Sequence, residues 1–292
     1  MDRLRDKIIP VTTLLALLVI AWYAFAVVLN GPFQRDLDRR AVETPSYSEF
    51  LIKTWSQPKP TLPAPHQVAA NFFKTTFLVK PWSARSLVYH SWVTLSSTFV
   101  GFVFGAALGI LIAVGIVHFA SLDRSLMPWI ITSQTIPILA IAPMVVVVFA
   151  AIGITGLFPK ALISTYLSFF PVAVGMVKGL RSPDLMHLDL MHTYNASRPQ
   201  IFWKLRVPAS MPFLFASMKV AVAASLVGAI VAELPTGAVA GIGAKLLAGS
   251  YYSQTIEMWA ALVAGSLIAV ILVALVGIAA RITDRAMGGR PA

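Results

Sequence analysis

Cysteine is absent from the chain, which excludes a disulfide scaffold and leaves only five histidines and twelve acids from which a metal site could be built. Charge is scarce as well. Charged residues make up 12% of the 292, against about 25% in an average soluble domain. No GxxxxGK[ST], HExxH or GxSxG occurs, so neither nucleotide hydrolysis nor a zinc- or serine-hydrolase reaction is expected of this chain. What is abundant is apolar: 58% of residues are hydrophobic and the mean hydropathy is +0.78. That composition excludes disorder and predicts an all-α polytopic membrane protein. The net charge of +11 is read as topology rather than nucleic-acid binding, because the basic residues sit mainly between apolar runs.

A spanning helix needs about 20 mostly apolar residues. Residues 8–29 are charge-free over a length beyond that of a signal peptide's apolar region, and no small-x-small cleavage site follows, so a retained first span is expected. Residues 30–89 are polar and contain several prolines. Within them Tyr47–Trp55 has the mixed character of a short interfacial helix, and Pro58, Pro60, Pro63 and Pro65 predict an extended run. Five more apolar runs follow at 91–117, 125–159, 161–177, 213–231 and 258–280, giving six spans. With the N-terminus inside, twelve Lys/Arg fall in cytoplasmic segments and only Lys160 and Lys245 in short outer loops. The positive-inside rule therefore sets both termini in the cytoplasm. The expected divisions are a tail and first span (1–29), an extracytoplasmic insert (30–89), a five-span core (90–281) and a cytoplasmic tail (282–292). Gly101, Gly105 and Gly109 form two overlapping GxxxG patterns, read first as packing within the subunit.

The cytoplasmic stretch 181–212 is longer than a connector requires. Ser182 can cap a helix with Pro183 in its first turn, running to Tyr194. Asn195 suits the left-handed position after it, and Ser197 can cap a second short helix. Apolar side chains along it, among them Leu190, Met191, Ile201, Phe202 and Trp203, either dock a partner or fold back on the spans and headgroups. His187 and His192, five apart on one helix, point about 140° from each other and do not share a metal.

Two further places carry polar groups at membrane depth. Around Ser133 and Gln134, Pro137 removes the amide that would bond the Ser133 carbonyl, and Pro143 does the same to Leu139. Irregular backbone there points to the translocation path or a subunit seam, with a kinked packing helix as the alternative. Glu233 ends the fifth span and is either a path residue or a solvated interfacial carboxylate. Lys219, 14 residues away, is too distant to pair with it. The glycine-rich run 237–243 follows no strand and reads as a turn between spans rather than a phosphate cradle.

These residues together resemble the permease subunits of ATP-binding-cassette importers. Asp189-Leu190-Met191 falls on the family's Glu-Ala-Ala, Asn195 on its Gly, and Val207-Pro208 on its Leu-Pro. Leu62-Pro63-Ala64-Pro65, Gln134-Thr135-Ile136-Pro137, Phe169-Phe170-Pro171, Gly179-Leu180-Arg181-Ser182 and Val231-Ala232-Glu233 match further motifs in the family's order. They are similar to the branch importing nitrate, sulfonates, taurine, bicarbonate and thiamine- or riboflavin-type precursors. Asp, larger residues and Asn stand where the family has Glu, Ala and Gly, which implies either a repacked contact with the ATPase or a less efficient one.

The resemblance implies a type I importer permease fold in a bacterial inner membrane. It implies partners: two ATP-binding subunits that carry ATP and Mg, an extracytoplasmic solute-binding protein, and a second permease copy or a paralogue. It implies an ATPase-coupling loop at 181–208 containing Asp189, Leu190, Met191, Asn195, Ala196, Ser197, Ile201, Phe202 and Pro208, with no cofactor in this chain. Ser133, Gln134, Pro137, Pro143 and Glu233 are the path candidates. The competing class is an ion- or proton-coupled carrier, which would place several ionisable residues mid-membrane and show internal repeats. Neither is found here, and no acid or base set for a membrane enzyme stands out.

Overall fold

The structure is a computed structural model that describes residues 2–42, 44–234 and 239–288. Its elements are helices: α1 (Asp2–Arg40), α2 (Tyr47–Trp55), α3 (Pro65–Phe73), α4 (Leu87–His118), α5 (Ala120–Ser133), α6 (Ile138–Ala151), α7 (Leu157–Leu180), α8 (Leu185–Thr193), α9 (Arg198–Ile201), α10 (Val207–Ala232), α11 (Ile242–Tyr251) and α12 (Thr255–Ala286). Two π-helical turns, Lys74–Leu78 and Phe202–Arg206, extend α3 and join α9 to α10. Among the described residues, five helical stretches are long and apolar enough to cross a membrane. The pair α5 and α6, bent by 96°, forms a broken sixth span or a re-entrant loop.

The chain forms two compact units, one of residues 1–89 and 245–264, the other of 90–244 and 265–292. In the first, α1 outruns the expected first span by eleven residues, from Leu29 to Arg40. Helices end where capping or packing ends them, not where apolarity does. Asn30, Gln34 and Asp38, four apart, make a buried polar ladder on its C-terminal half. The Asn30 amide donates to the Leu62 carbonyl at 2.8 Å and accepts the Leu62 N–H at 3.0 Å. Gln57 donates to Gln34 at 3.0 Å, Gln34 to Asp38 at 3.0 Å, and Lys53 lies 3.5 Å from Asp38. The expected short helix Tyr47–Trp55 forms with those bounds, its Glu49 carboxylate accepting the Ser46 N–H.

In the second unit α4, α7 and α10 pack backbone to backbone. A Cβ on Gly101 would lie 2.2 Å from Ser164 Cβ, one on Gly105 2.0 Å from Ser168 Oγ, and one on Gly109 2.7 Å from the Phe169 carbonyl. The GxxxG face of α4 is thus spent on α7 within the subunit. Serines seal the joint: Ser164 donates to the Ser225 carbonyl at 2.9 Å, and Ser225 to the Thr98 carbonyl at 2.8 Å. In lipid, where apolar burial offers little drive, close backbone contact and such hydrogen bonds hold helices together.

Candidate functional site

The first helix of the loop at 181–208 begins two residues later than its sequence predicts, with Asp184 and not Ser182 at its N-cap. Ser182 Oγ donates back to the Gly179 carbonyl at 2.8 Å, and Asp184, extended at φ −62°, ψ 152°, precedes the first turn of α8. At the other end Asn195 has φ 50°. Its N–H donates to the His192 carbonyl at 2.8 Å, and the Ala196 N–H to the Met191 carbonyl at 3.0 Å. Those two bonds with a left-handed residue make the Schellman arrangement that closes helices. Ser197 is extended and its N–H donates to Gln200 Oε1 at 2.8 Å, opening α9.

α9 is a single turn, Arg198–Ile201. It passes through the π-helical turn into α10, and Pro208 sits in the first turn of α10. The missing amide of Pro208 leaves the Lys204 carbonyl without its helical donor, and the extra residue of the π turn falls just there. Ile201 is buried, and Phe202 stacks edge-on against His118 at 4.9 Å, so both face the chain's own helices. Leu185, Met186, Leu190, Tyr194 and Trp203 are the large apolar side chains that the loop leaves exposed. Along the same stretch Asp189 and Pro208 are exposed, whereas Met191 and Ala196 are half-buried. Arg206 donates to the Leu180 carbonyl at 3.1 Å and Arg181 meets Asp123 at 2.8 Å, fixing both feet of the loop to the spans.

At the broken span, Gln134 ends α5 and Pro137 opens α6. The Ser133 carbonyl, deprived of its helical donor by Pro137, accepts the Tyr166 hydroxyl from α7. Gln134, Pro137 and Pro143 are exposed, while Ser133 is half-buried. An apolar cavity of about 360 Å³ lies beside the break, walled by Leu108, Ile136, Ile138, Ile141 and Phe169. The hydroxyls bordering it are engaged elsewhere, Thr165 with the Ala161 and Gly101 carbonyls and Tyr166 with Ser133, so it offers a polar solute no partner.

Glu233 is apart from these groups and fully buried. Lys160 Nζ lies 3.4 Å from Glu233 Oε1 and donates to the Ala240 carbonyl at 3.0 Å. Thr94 Oγ1 donates to Glu233 Oε2 at 2.8 Å while accepting the Ile242 N–H at 2.8 Å. The Gly243 N–H donates to Glu233 Oε2 at 3.0 Å, and the Gly241 N–H to His90 Nδ1 at 3.0 Å. Three side chains thus satisfy three successive N–H groups at the start of α11, which would otherwise be orphaned. Gly241 has φ +131°, and a Cβ there would sit 2.1 Å from the Glu233 carboxyl carbon, so this part of the glycine-rich run is a tight contact. Sequence reasoning missed Lys160, which it counted as an outer-loop cation. The usable signal was that Lys160, near the start of α7, and Glu233, at the end of α10, stand at adjacent ends of consecutive antiparallel spans.

Helices long and apolar enough to cross a membrane, with an apolar-faced loop between two of them, define a polytopic membrane protein. Residues 105–289 match the family model of the binding-protein-dependent transport system inner membrane component, and the chain belongs to that family. A probable ABC transporter permease of Haemophilus influenzae is 30% identical over 214 residues, 73% of this chain and 82% of the relative. The riboflavin transport system permease RibX of Chloroflexus aurantiacus is 27% identical over 277 residues, 95% of this chain and 89% of that one. The formylaminopyrimidine transport permease ThiX of Halalkalibacterium halodurans is 31% identical over 154 residues, which span 53% of this chain and 60% of ThiX. The chain is therefore a transmembrane permease of the ABC transporters, an inner-membrane subunit of a binding-protein-dependent importer, in the branch its motifs indicated.

Proposed function

We propose that this chain, paired with a second copy or a paralogue, forms the translocation path for a small solute delivered by an extracytoplasmic binding protein. Two separate ATPase subunits, holding ATP and Mg, drive it through the loop at 181–208. The loop's geometry carries this reading: a hydrogen-bonded left-handed bend at Asn195 holds α8 and its exposed apolar residues at a set angle to the helix that becomes α10. The near full-length likeness to RibX makes a heteroaromatic solute the first to screen on the cognate binding protein.

Asn195 provides the test. Glycine accepts a positive φ freely, whereas valine there is strained by about 1–2 kcal/mol. Asn195→Gly should keep ATPase co-purification and uptake. Asn195→Val should still insert, because the bend lies outside the apolar runs, yet co-purify several-fold less ATPase. Parent-like co-purification and uptake by Asn195→Val would remove the loop from the coupling path. The rival carrier reading predicts solute-driven proton flux by the purified chain alone. The importer reading predicts hydrolysis only once the nucleotide-binding partner is added.

In this topology both termini are cytoplasmic, 30–89 is the extracytoplasmic insert, and 282–292 is a cytoplasmic tail. Ser197 and Ser250 are both exposed and the chain carries no cysteine background. Ser197→Cys should react with a membrane-impermeant thiol reagent only in inverted vesicles, and Ser250→Cys only from outside. The reverse pattern inverts the topology.

Gln134 is assigned to the path or the seam between permease copies, with Ser133, Pro137 and Pro143 shaping the backbone around it. Gln134→Leu should lower uptake several-fold at equal expression. Thr132→Val should not, since its hydroxyl is spent on the Pro128 carbonyl. Equal uptake by the two variants would leave the break as packing. Glu233 is proposed to hold the outer ends of the spans rather than to touch solute.

A further inference from the structure

The segment before α4 has its polarity inside out. Along α3 and the π-helical turn, Phe73, Phe77 and Leu78 face outward, as does Trp82 in the turn beyond, the last 80% exposed. Asn71 and Thr76 instead turn inward, where Asn71 Oδ1 and Thr76 Oγ1 are buried without a hydrogen-bond partner among the described residues. Thr75 also spends its hydroxyl locally, on the Asn71 carbonyl at 2.7 Å. If water bathed this segment, rolling it over would bury the aromatic rings and solvate the two oxygens. The observed orientation is favoured only if its surroundings are apolar.

Charge narrows those surroundings further. Lys74, Lys80 and Arg85 are exposed among the aromatic residues. No acid occurs anywhere between Glu49 and Asp123. Aromatic side chains interleaved with cations, next to the start of a membrane-crossing helix at Leu87, are the composition of a membrane–water interface.

We propose that residues 73–85 are a surface anchor that lies in the bilayer at the headgroup level and binds anionic phospholipid. Phe73, Phe77, Leu78 and Trp82 enter the acyl boundary, and Lys74, Lys80 and Arg85 meet the phosphates. The inference needs only that the chain resides in a membrane. It is independent of the importer reading, and only the identity of the leaflet, the outer one, follows from the topology above.

The test uses the cysteine-free background. A nitroxide on Phe77→Cys, and separately on Trp82→Cys, is compared with one on Val42→Cys, which is 90% exposed, in nanodiscs of mixed phosphatidylglycerol and phosphatidylcholine. The first two should collide with oxygen and lose most of their collisions with a water-soluble nickel chelate, whereas Val42→Cys should keep them. Neutralising Lys74, Lys80 and Arg85 to Gln should lower the preference for phosphatidylglycerol in retained lipid, by roughly fivefold per cation at low salt. Nickel accessibility equal to Val42→Cys overturns the proposal. So does protection that appears only when the binding protein is added, or dipolar broadening that places a second copy on the segment. An unchanged phosphatidylglycerol preference in the Gln variants overturns the anionic-lipid assignment.

Discussion

Glu233→Leu should destabilise the protein by about 3–5 kcal/mol, the cost of leaving a buried ionic partner uncompensated. Lys160 is only 11% exposed at its side chain and loses its counter-charge in this variant, while Gly243 loses the acceptor of its N–H. Lys160→Met should cost a similar amount from the other side. The double variant Lys160→Met/Glu233→Leu should recover most of the loss, because removing both charges removes the desolvation problem. What it cannot restore are the acceptors of the Gly243 N–H and the Thr94 hydroxyl, about 1–3 kcal/mol for each buried orphan donor. Thermal unfolding followed through the seven tryptophans reads all three. A Glu233→Leu variant that melts with the parent would mean the carboxylate is solvated and the cluster is not structural.

The second large effect belongs to the α4–α7 contact. Gly101→Val should cost about 3 kcal/mol, the upper end for an overpacked site, and sharply lower the folded yield. Its first obstacle, Ser164 Cβ at 2.2 Å, is not the end of a flexible side chain, and the second is the Ala161 carbonyl at 2.8 Å. Gly115→Ala on the same helix is the control. Its nearest neighbour is Leu122 Cδ1 at 3.1 Å, which can rotate away, so yield and melting should stay near the parent. Size-exclusion profiles of the two variants separate the outcomes. Equal, monodisperse behaviour would show that α4 and α7 are not in backbone contact.

Features written in local composition were legible before the fold was known. Long charge-free runs gave the crossing helices, and the bend at Asn195 followed from one residue's tolerance of positive φ. The α2 helix Tyr47–Trp55 was equally plain. The ends of elements were harder. α1 continues to Arg40 because Asn30, Gln34 and Asp38 find partners 15 to 32 residues away, and those partners have no local signature. Pro137 announced a break, but not its 96° angle, which depends on what α7 packs against. The loop's inward pair, Ile201 and Phe202, differs from outward Trp203 only through its register on the π turn, which an ideal helical wheel misplaces. The ion pair was missed for the same reason: its two members are 73 residues apart and meet only through the antiparallel course of α7 and α10.

The glycine–serine seam among α4, α7 and α10 also bears on movement. Three helices in backbone contact, cross-linked by serine hydroxyls to carbonyls, have no side-chain layer to shear through, and close-packed interfaces switch between discrete arrangements rather than deform smoothly. They should travel as one rigid body. Under the proposed function, alternation of access would then be taken up between such bodies or where the helical ladder is already interrupted, at Gln134–Pro137 between α5 and α6 and at the π-helical turn Phe202–Arg206. The latter lies directly between α9 and α10, so under the proposed coupling a push on α8 would reach the rigid body through a joint one residue out of register.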